Sequence, residues 1–421
     1  MEFRYENITI KILQGYGEIG GNCIIIENKD SKIVFDQGIR FSRFRRFYNA
    51  NVQPVGFTEM INLGIIPDLT DLKDVFISHL HLDHLGLLHP LQLGTTVYVP
   101  NEQIFNAFIE PYKAANNWTT YISPSIGVDI VDVSKNNDNV IPLAVEHSAY
   151  PAFSYYYDTG NIKLLYTGDM RISSPLGALT PEIHKKLHEK TLLEEYEEKG
   201  LVSDVLIIEG TNFTPHTTPV SSHYFIEQIS NIFQNHSNSL MFASIDSLDA
   251  EAILSILLIA KTYNRIPVIT GRRLINMVKL WIDLSELSGD IYQLEDKVIN
   301  FNIVEEDEIE KNPSNYLILS SKGEPLEFVR RTKIGKGSVI ISLTAEAQSE
   351  SGEDESVEDS WLKMLGFIVY RLRMSGHYYP YELKYILDVI RPKKVIPIHT
   401  EVPSIMCEYV SQLGYECLGR T

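Results

Sequence analysis

Cysteine is nearly absent from this chain: Cys23, Cys407 and Cys417 stand alone among 421 residues. Three scattered thiols make neither a disulfide framework nor a cysteine-based zinc site, and they fit a reducing cytoplasm. Long apolar runs are missing too, since none approaches the roughly 18 to 20 residues that a membrane span requires. The opening Met1-Glu2-Phe3-Arg4-Tyr5 lacks the basic head and apolar core of a secretory leader. Positive charge is scarce. Lys and Arg number 37 against 55 Asp and Glu, which leaves a formal net charge of −18. Proteins that follow a phosphate backbone normally carry a basic footprint, so a polyanionic substrate would be drawn here by local patches rather than by the overall field. Internal repeats and long low-complexity tracts are lacking as well.

What remains is the composition of an ordinary globular protein, 44% hydrophobic and 22% charged, long enough for two domains or one elaborated one. Strand-like runs at Ile8 to Leu13, Cys23 to Glu27, Lys32 to Asp36, Leu72 to Ile77, Thr96 to Val99 and Lys163 to Tyr166 alternate with glycine-containing turns. From Val205 to Thr344 the pattern becomes strand, helix, strand. Its apolar runs begin at Val205, Leu240, Val268, Tyr316 and Val339, with helical periodicity as in Ala250 to Tyr263. Such alternation predicts a parallel sheet covered on both faces. The acidic stretch Ser349 to Ser360 reads as a solvated loop, followed by a helix from Trp361 that leads to Ser375-Gly376-His377.

Chemistry concentrates in Ser78-His79-Leu80-His81-Leu82-Asp83-His84-Leu85-Gly86, directly after the apolar Val75-Phe76-Ile77. In extended chain His79 and His81 point to the same side, and Asp83 and His84 follow where the chain turns, positioned for a second ion. Three imidazoles and a carboxylate at this density read as a dinuclear zinc site for hydrolysis. Two ions need about eight ligand contacts, and further donors stand at other strand ends. His147 follows Pro142-Leu143-Ala144-Val145, Asp169 follows Leu164 to Gly168, and His399 follows Ile396-Pro397-Ile398. Strand ends are where α/β sheets place functional groups.

With these residues in view, the chain resembles the metallo-β-lactamase superfamily, and within it the β-CASP nucleases of RNase J type. Asp36 in Val34-Phe35-Asp36-Gln37-Gly38 matches the first superfamily motif. His79, His81, Asp83 and His84 match the second, His147 the third and Asp169 the fourth. The last histidine, His399, lies 230 positions beyond Asp169, room for an inserted domain of the kind that distinguishes β-CASP enzymes. Glu209, His377 and His399 match their motifs A, B and C. The turn Gly15 to Asn22, Gly323-Glu324-Pro325, and the closing stretch from Ser375 to Glu401 resemble RNase J as well.

The resemblance implies an α/β fold: a metallo-β-lactamase αββα sandwich with an inserted β-CASP domain. The expected boundaries are 1–212 and 361–421 for the sandwich and 213–360 for the insertion. It implies that His79, His81 and His147 hold one zinc, that Asp83, His84 and His399 hold the other, and that Asp169 bridges them. Manganese is acceptable to the same donors. A hydroxide between the metals would attack phosphorus, with His377 protonating the leaving oxygen or binding the scissile phosphate. Asp36 and Glu209 would orient ligand imidazoles. The implied substrate is single-stranded RNA, or DNA, with no membrane partner.

The chain departs from RNase J in three places. Arg373 stands where RNase J commonly has a histidine of the terminal-phosphate pocket, beside Ser375 and Gly376, and its fork can grip phosphate. The sequence stops soon after His399, without the usual C-terminal domain, and the acidic stretch at 349–360 replaces a shorter connection. Arg40-Phe41-Ser42-Arg43-Phe44-Arg45-Arg46-Phe47-Tyr48 interleaves arginines, Arg43 and Arg45 among them, with rings that can stack unpaired bases. The alternative function is a small-substrate metallohydrolase acting on a lactone, thioester or cyclic phosphate, which the net charge favours.

Overall fold

Alternation within the strands decides how the layers form. Strand Ile8–Gln14 buries Ile8, Ile10 and Ile12 on one face, while Thr9 and Lys11 point away. In Lys163–Tyr166, Leu164 and Tyr166 enter the same core, whereas Leu165 faces a different one. Val205 and Ile207 oppose Leu206 and Ile208 in the same manner, as Ile396 and Ile398 oppose Val395. A strand buried on both faces therefore needs apolar residues at every position, and these strands have them.

The computed structural model describes residues 1–29, 31–136, 139–214, 221–287, 289–293, 301–321, 324–331, 336–344 and 353–419. The chain divides into two compact units. The first comprises Met1–Ile172, Lys190–Thr218 and His377–Thr421, and the second Ser173–Glu189 and Pro219–Gly376.

In the first unit a seven-stranded sheet runs in chain order, Glu2–Tyr5, Ile8–Gln14, Cys23–Glu27, Lys32–Phe35, Asp74–Phe76, Thr96–Val99 and Asp129–Asp132. It shares an isoleucine- and tyrosine-rich core with a six-stranded sheet made of Val140–Val145, Ala152–Asp158, Lys163–Tyr166, Val205–Glu209, Lys394–Ile398 and Glu416–Cys417. Helices Leu192–Glu198, Leu383–Ile390 and Pro403–Gln412 cover the outer face of the second sheet through Leu192, Tyr196, Leu383, Leu387, Met406 and Val410. Helix Glu102–Lys113 packs beside Asp129–Asp132 and buries Ile104, Phe105, Phe108 and Ile109. This is the expected αββα sandwich.

The second unit is built on a wholly parallel sheet. Its order is Asn302–Ile303, Tyr292–Gln293, Ile266–Ile269, Tyr316–Ser320, Met241–Ser244, Val339–Thr344 and Ile368–Arg373. Helix Ala250–Thr262, apolar around most of its circumference, is buried almost throughout.

Several expectations need correction. The run at Val205 does not join the parallel sheet. It pairs with Lys163–Tyr166 and Lys394–Ile398 in the first unit. The acidic stretch is in part a helix, Glu353–Leu365, while 349–352 and Gly323 lie outside the described residues. A further strand, Ile368–Arg373, follows that helix and pairs with Val339–Thr344, so the second unit extends to Gly376 rather than 360. It also takes in 173–189, a stretch that sequence reading placed within 1–212. Finally, Cys407 and Cys417 form a disulfide that joins helix Pro403–Gln412 to strand Glu416–Cys417. That pairing removes the ground on which a reducing compartment was expected. Among the described residues no helix is long and apolar enough to cross a membrane.

Candidate metal centre

Five strands of the first unit stop at the same place, and each delivers a polar group there. Asp74–Phe76 runs through Ile77 and Ser78 into an irregular turn bearing His79. His81 caps the short helix Leu82–Leu85, which carries Asp83 and His84 in its single turn. Lys32–Phe35 ends at Asp36, Val140–Val145 leads to His147, Lys163–Tyr166 to Asp169, and Lys394–Ile398 to His399. The turn at 36–39 is clamped to this helix: Gln37 N donates to the His84 carbonyl and Ile39 N to that of Leu82, both at 2.9 Å. Gly38 is required there, because a Cβ would lie 1.6 Å from the Asp83 carbonyl oxygen. The opening turn backs the last histidine, as His399 N donates to Gly15 O at 2.6 Å. Asp36 (φ 57°) and His399 (φ 49°) both adopt the left-handed conformation. For residues with a Cβ this costs roughly 1–2 kcal/mol, and such strain gathers at functional sites.

The structure gathers His79, His81 and His147 into one donor group and Asp83, His84 and His399 into another, each with its donor atoms within 4.8 Å of one another. Asp169 reaches both. Its Oδ2 lies 3.0 Å from His84 Nε2 and 3.9 Å from both His79 Nε2 and His147 Nε2, while its Oδ1 lies 3.2 Å from His399 Nδ1. All but His81 and Asp83 are buried. The Nε2 atoms of His79, His84 and His399 are buried without a hydrogen-bond partner. Orphaned imidazole nitrogens converging on shared carboxylates are what a metal ion would satisfy, so these residues fit a divalent-cation centre.

Electrostatics divides the histidines. Burial pushes His79 well below the usual imidazole range, reinforced by His84, His147 and His81, so it stays neutral and able to ligate. Burial disfavours charge on His84 too, but the Asp169, Asp83 and Asp36 carboxylates outweigh it and raise its pKa well above the usual value. For Asp169 burial opposes ionisation, yet His399 and His84 hold its carboxyl well below the ordinary range.

Two supporting groups surround the donors. Asp36 accepts from Ser78 N (2.7 Å), Ser78 Oγ (2.7 Å) and the Tyr166 hydroxyl, and faces His84 Nδ1 at 2.8 Å. Burial and Asp36 push the Tyr166 hydroxyl well up in pKa, so it keeps the proton it donates. Glu209 does not meet a residue of either donor group. It faces His377 Nδ1 at 3.0 Å and accepts from Met170 N and Thr211 N. His377 in turn lies beside the donors, its Nδ1 4.0 Å from Asp169 Oδ2 and its ring 5.1 Å from that of His147. Asn212 holds the His377 and Tyr378 carbonyls. Sequence reading missed Ser78 and Tyr166. Ser78 adjoins the first histidine, which was a usable signal. Tyr166 carried none, since its partner lies 130 positions away.

The expected substrate-binding residues fall differently. Residues Phe41–Phe47 form a helix that departs directly from the clamped turn. Arg43 Nε donates to the Leu63 carbonyl, and Arg40 binds Glu18 (2.9 Å) and the Gly64 carbonyl. Phe44 packs on Tyr48 and Trp118. Arg45, Arg46 and Phe47 are exposed. Arg373 ends the strand Ile368–Arg373 in the second unit, to which Ser375 and Gly376 also belong.

Residues 16–210 match the family described as the metallo-beta-lactamase superfamily. Ribonuclease J of Helicobacter pylori is 22% identical across 94% of this chain and 56% of its own length. This chain thus spans little more than half of that relative. Ribonuclease J of Pyrococcus abyssi is 21% identical across 97% of this chain and 93% of its own. Among solved structures, a protein of unknown function from Enterococcus faecalis superposes with a TM-score of 0.75. It is 21% identical and covers 98% of both chains, a likeness of fold.

Proposed function

We propose that this chain, built on a metallo-β-lactamase domain, is a metal-dependent nuclease that hydrolyses phosphodiester bonds in single-stranded RNA. The observation that carries the reading is the convergence of His79, His81, Asp83, His84, His147, Asp169 and His399 on one strand-end surface, with three imidazole nitrogens left for a metal. RNA rather than another ester is supported by the relatives named Ribonuclease J, which run along almost the whole of this chain.

His79, His81 and His147 would hold one ion, Asp83, His84 and His399 a second, and Asp169 both. Divalent cations bound there, zinc or manganese, would supply a polarised water and positive charge for the phosphate oxygens. The chain's own groups do the rest. Asp36 fixes the His84 ring through Nδ1 and so aims Nε2 at the centre. The Glu209 carboxylate can only accept, so His377 keeps a proton on Nδ1 and works through Nε2, where it passes a proton to the leaving oxygen. Arg45, exposed on helix Phe41–Phe47, offers a phosphate contact along the strand.

The test is purified protein with 5′-labelled single-stranded RNA and matched DNA, with zinc or manganese, beside Asp83→Ala. RNA cleavage that disappears in the variant supports the reading, and the label pattern separates attack from the 5′ end from internal cutting. If neither polymer is cut while metal is bound, the reading fails. Chromogenic lactones and thioesters then become the substrates to assay.

A further inference from the structure

A second cluster of metal-binding side chains lies in the second unit and plays no part in the proposed hydrolysis. Residues Ser173–Glu189 belong to that unit and carry the helices Pro175–Leu179 and Pro181–Leu187. The first packs on helices Ser222–Asn235 and Ala250–Thr262, and the second on Arg272–Ser285. Leu176 and Leu187 are the buried apolar residues expected of such packing. Three polar side chains meet in the same place. His184 lies in the last turn of helix Pro181–Leu187, and His188 is its C-cap, whose N–H donates to the His184 carbonyl at 2.9 Å. Their ring centroids are 5.1 Å apart. Opposite them is Glu251, in the first turn of Ala250–Thr262 and only 1% exposed.

A carboxylate buried in so apolar a helix is costly unless something answers its charge. Glu251 Oε1 lies 3.1 Å from His188 Nε2, and Oε2 accepts from Ser174 Oγ. One donor atom from each of His184, His188 and Glu251 lies within 4.8 Å of the other two. A hydrogen-bonded His–Glu pair would account for His188 and Glu251 alone. His184 brings a second imidazole to the same carboxylate. Two histidines and a glutamate, with one carboxylate oxygen steadied from outside by a hydroxyl, are a zinc donor set with its outer support.

We infer that His184, His188 and Glu251 form a separate divalent-metal site, best matched to zinc, with a water in the remaining position. It ties helix Pro181–Leu187 to helix Ala250–Thr262 within the second unit. The inference uses none of the residues assigned to hydrolysis and does not rest on that assignment.

The test uses the full chain, stripped with chelator, reloaded with Zn²⁺ or Co²⁺ and freed of excess metal. Metal is then counted by mass spectrometry. His184→Gln/His188→Gln should hold one equivalent less than wild type. A chain with His79→Ala/Asp169→Ala should retain one equivalent, show a tetrahedral Co²⁺ absorption band, and gain thermal stability on zinc addition. Adding His184→Gln, which leaves the His188–Glu251 hydrogen bond in place, should abolish both the band and the gain. The inference is overturned if His184→Gln/His188→Gln matches wild type in metal content, or if the band survives His184→Gln. It is overturned equally if His79→Ala/Asp169→Ala folds, as read by circular dichroism, and holds no metal.

Discussion

At the scale of single residues, the metal centre depends as much on groups that hold the donors as on the donors themselves. Asp36 accepts from three donors and faces His84 Nδ1 while fully buried. Asp36→Asn keeps the shape but turns one acceptor into a donor, and the His84 ring loses its anchor. Metal affinity at the Asp83, His84 and His399 group should fall about 10–100-fold. Unchanged affinity in a competitive chelator titration would remove Asp36 from this role. His84 also makes metal loading sensitive to pH. The Asp169, Asp83 and Asp36 carboxylates raise its folded, metal-free pKa above the ordinary imidazole value, so they favour a proton on the ring that must leave when metal enters. Loading at pH 7 should therefore release protons, and affinity should climb with pH through that range. Calorimetry in two buffers of different ionisation heat measures the release; identical heats would refute it. The donor histidines were legible because their chemistry and spacing are local. Ser78 and Tyr166 were not singled out, since an imidazole's support is chosen by what packs against it.

At the scale of elements, strand ends and the turns beyond them carry the site. Gly168 sits between strand Lys163–Tyr166 and Asp169 with φ +58°, and a Cβ there would lie 2.8 Å from Ser78 Cβ. Gly168→Ala combines left-handed strain of roughly 1–2 kcal/mol with displacement of Ser78, which Asp36 needs. We expect lower stability in denaturant titration together with loss of bound metal; a variant with wild-type metal content would show that the turn tolerates the shift. Most strands of the first unit were readable to within a residue or two, because apolar alternation is a property of the segment alone. Which sheet a strand joins was less readable. Val205–Glu209 is buried at all five positions, and that pattern is the same whether its neighbours are Lys163–Tyr166 and Lys394–Ile398 or a parallel sheet elsewhere. Ile368–Arg373 was missed because its residues are exposed or half-buried, so no continuous apolar run marks it. The acidic stretch misled through its charge: glutamate is also a good helix former, and helix Glu353–Leu365 begins there.

For the whole molecule, the net charge of −18 sets the problem that local patches must solve. Helix Phe41–Phe47 carries several arginines, of which Arg43 is occupied with the Leu63 carbonyl while Arg45 and Arg46 are exposed. Arg45→Glu/Arg46→Glu should weaken single-stranded RNA binding. It should also flatten the dependence of log K on log salt by about 0.7 per lost phosphate contact. Binding that is unchanged across a salt series would exclude this helix from the interface. Cys407 and Cys417 make the complementary point. Ten positions apart in a cysteine-poor chain they suggested nothing, and the return of strand Glu416–Cys417 beside Lys394–Ile398 brings them together.

The sequence by itself determined the chemistry: which side chains can hold metal, that they follow apolar strands, and that a strand–helix–strand region separates Asp169 from His399. Those features are local, set by residue type and spacing along a few turns of chain. Tertiary structure alone decided the partners. Only folding sets Tyr166 on Asp36, Glu209 on His377 rather than on a donor imidazole, Arg43 on a carbonyl, and His184 and His188 against Glu251. Each of those contacts joins distant parts of the chain through close packing, and an apolar pattern specifies that a face is buried without specifying what buries it.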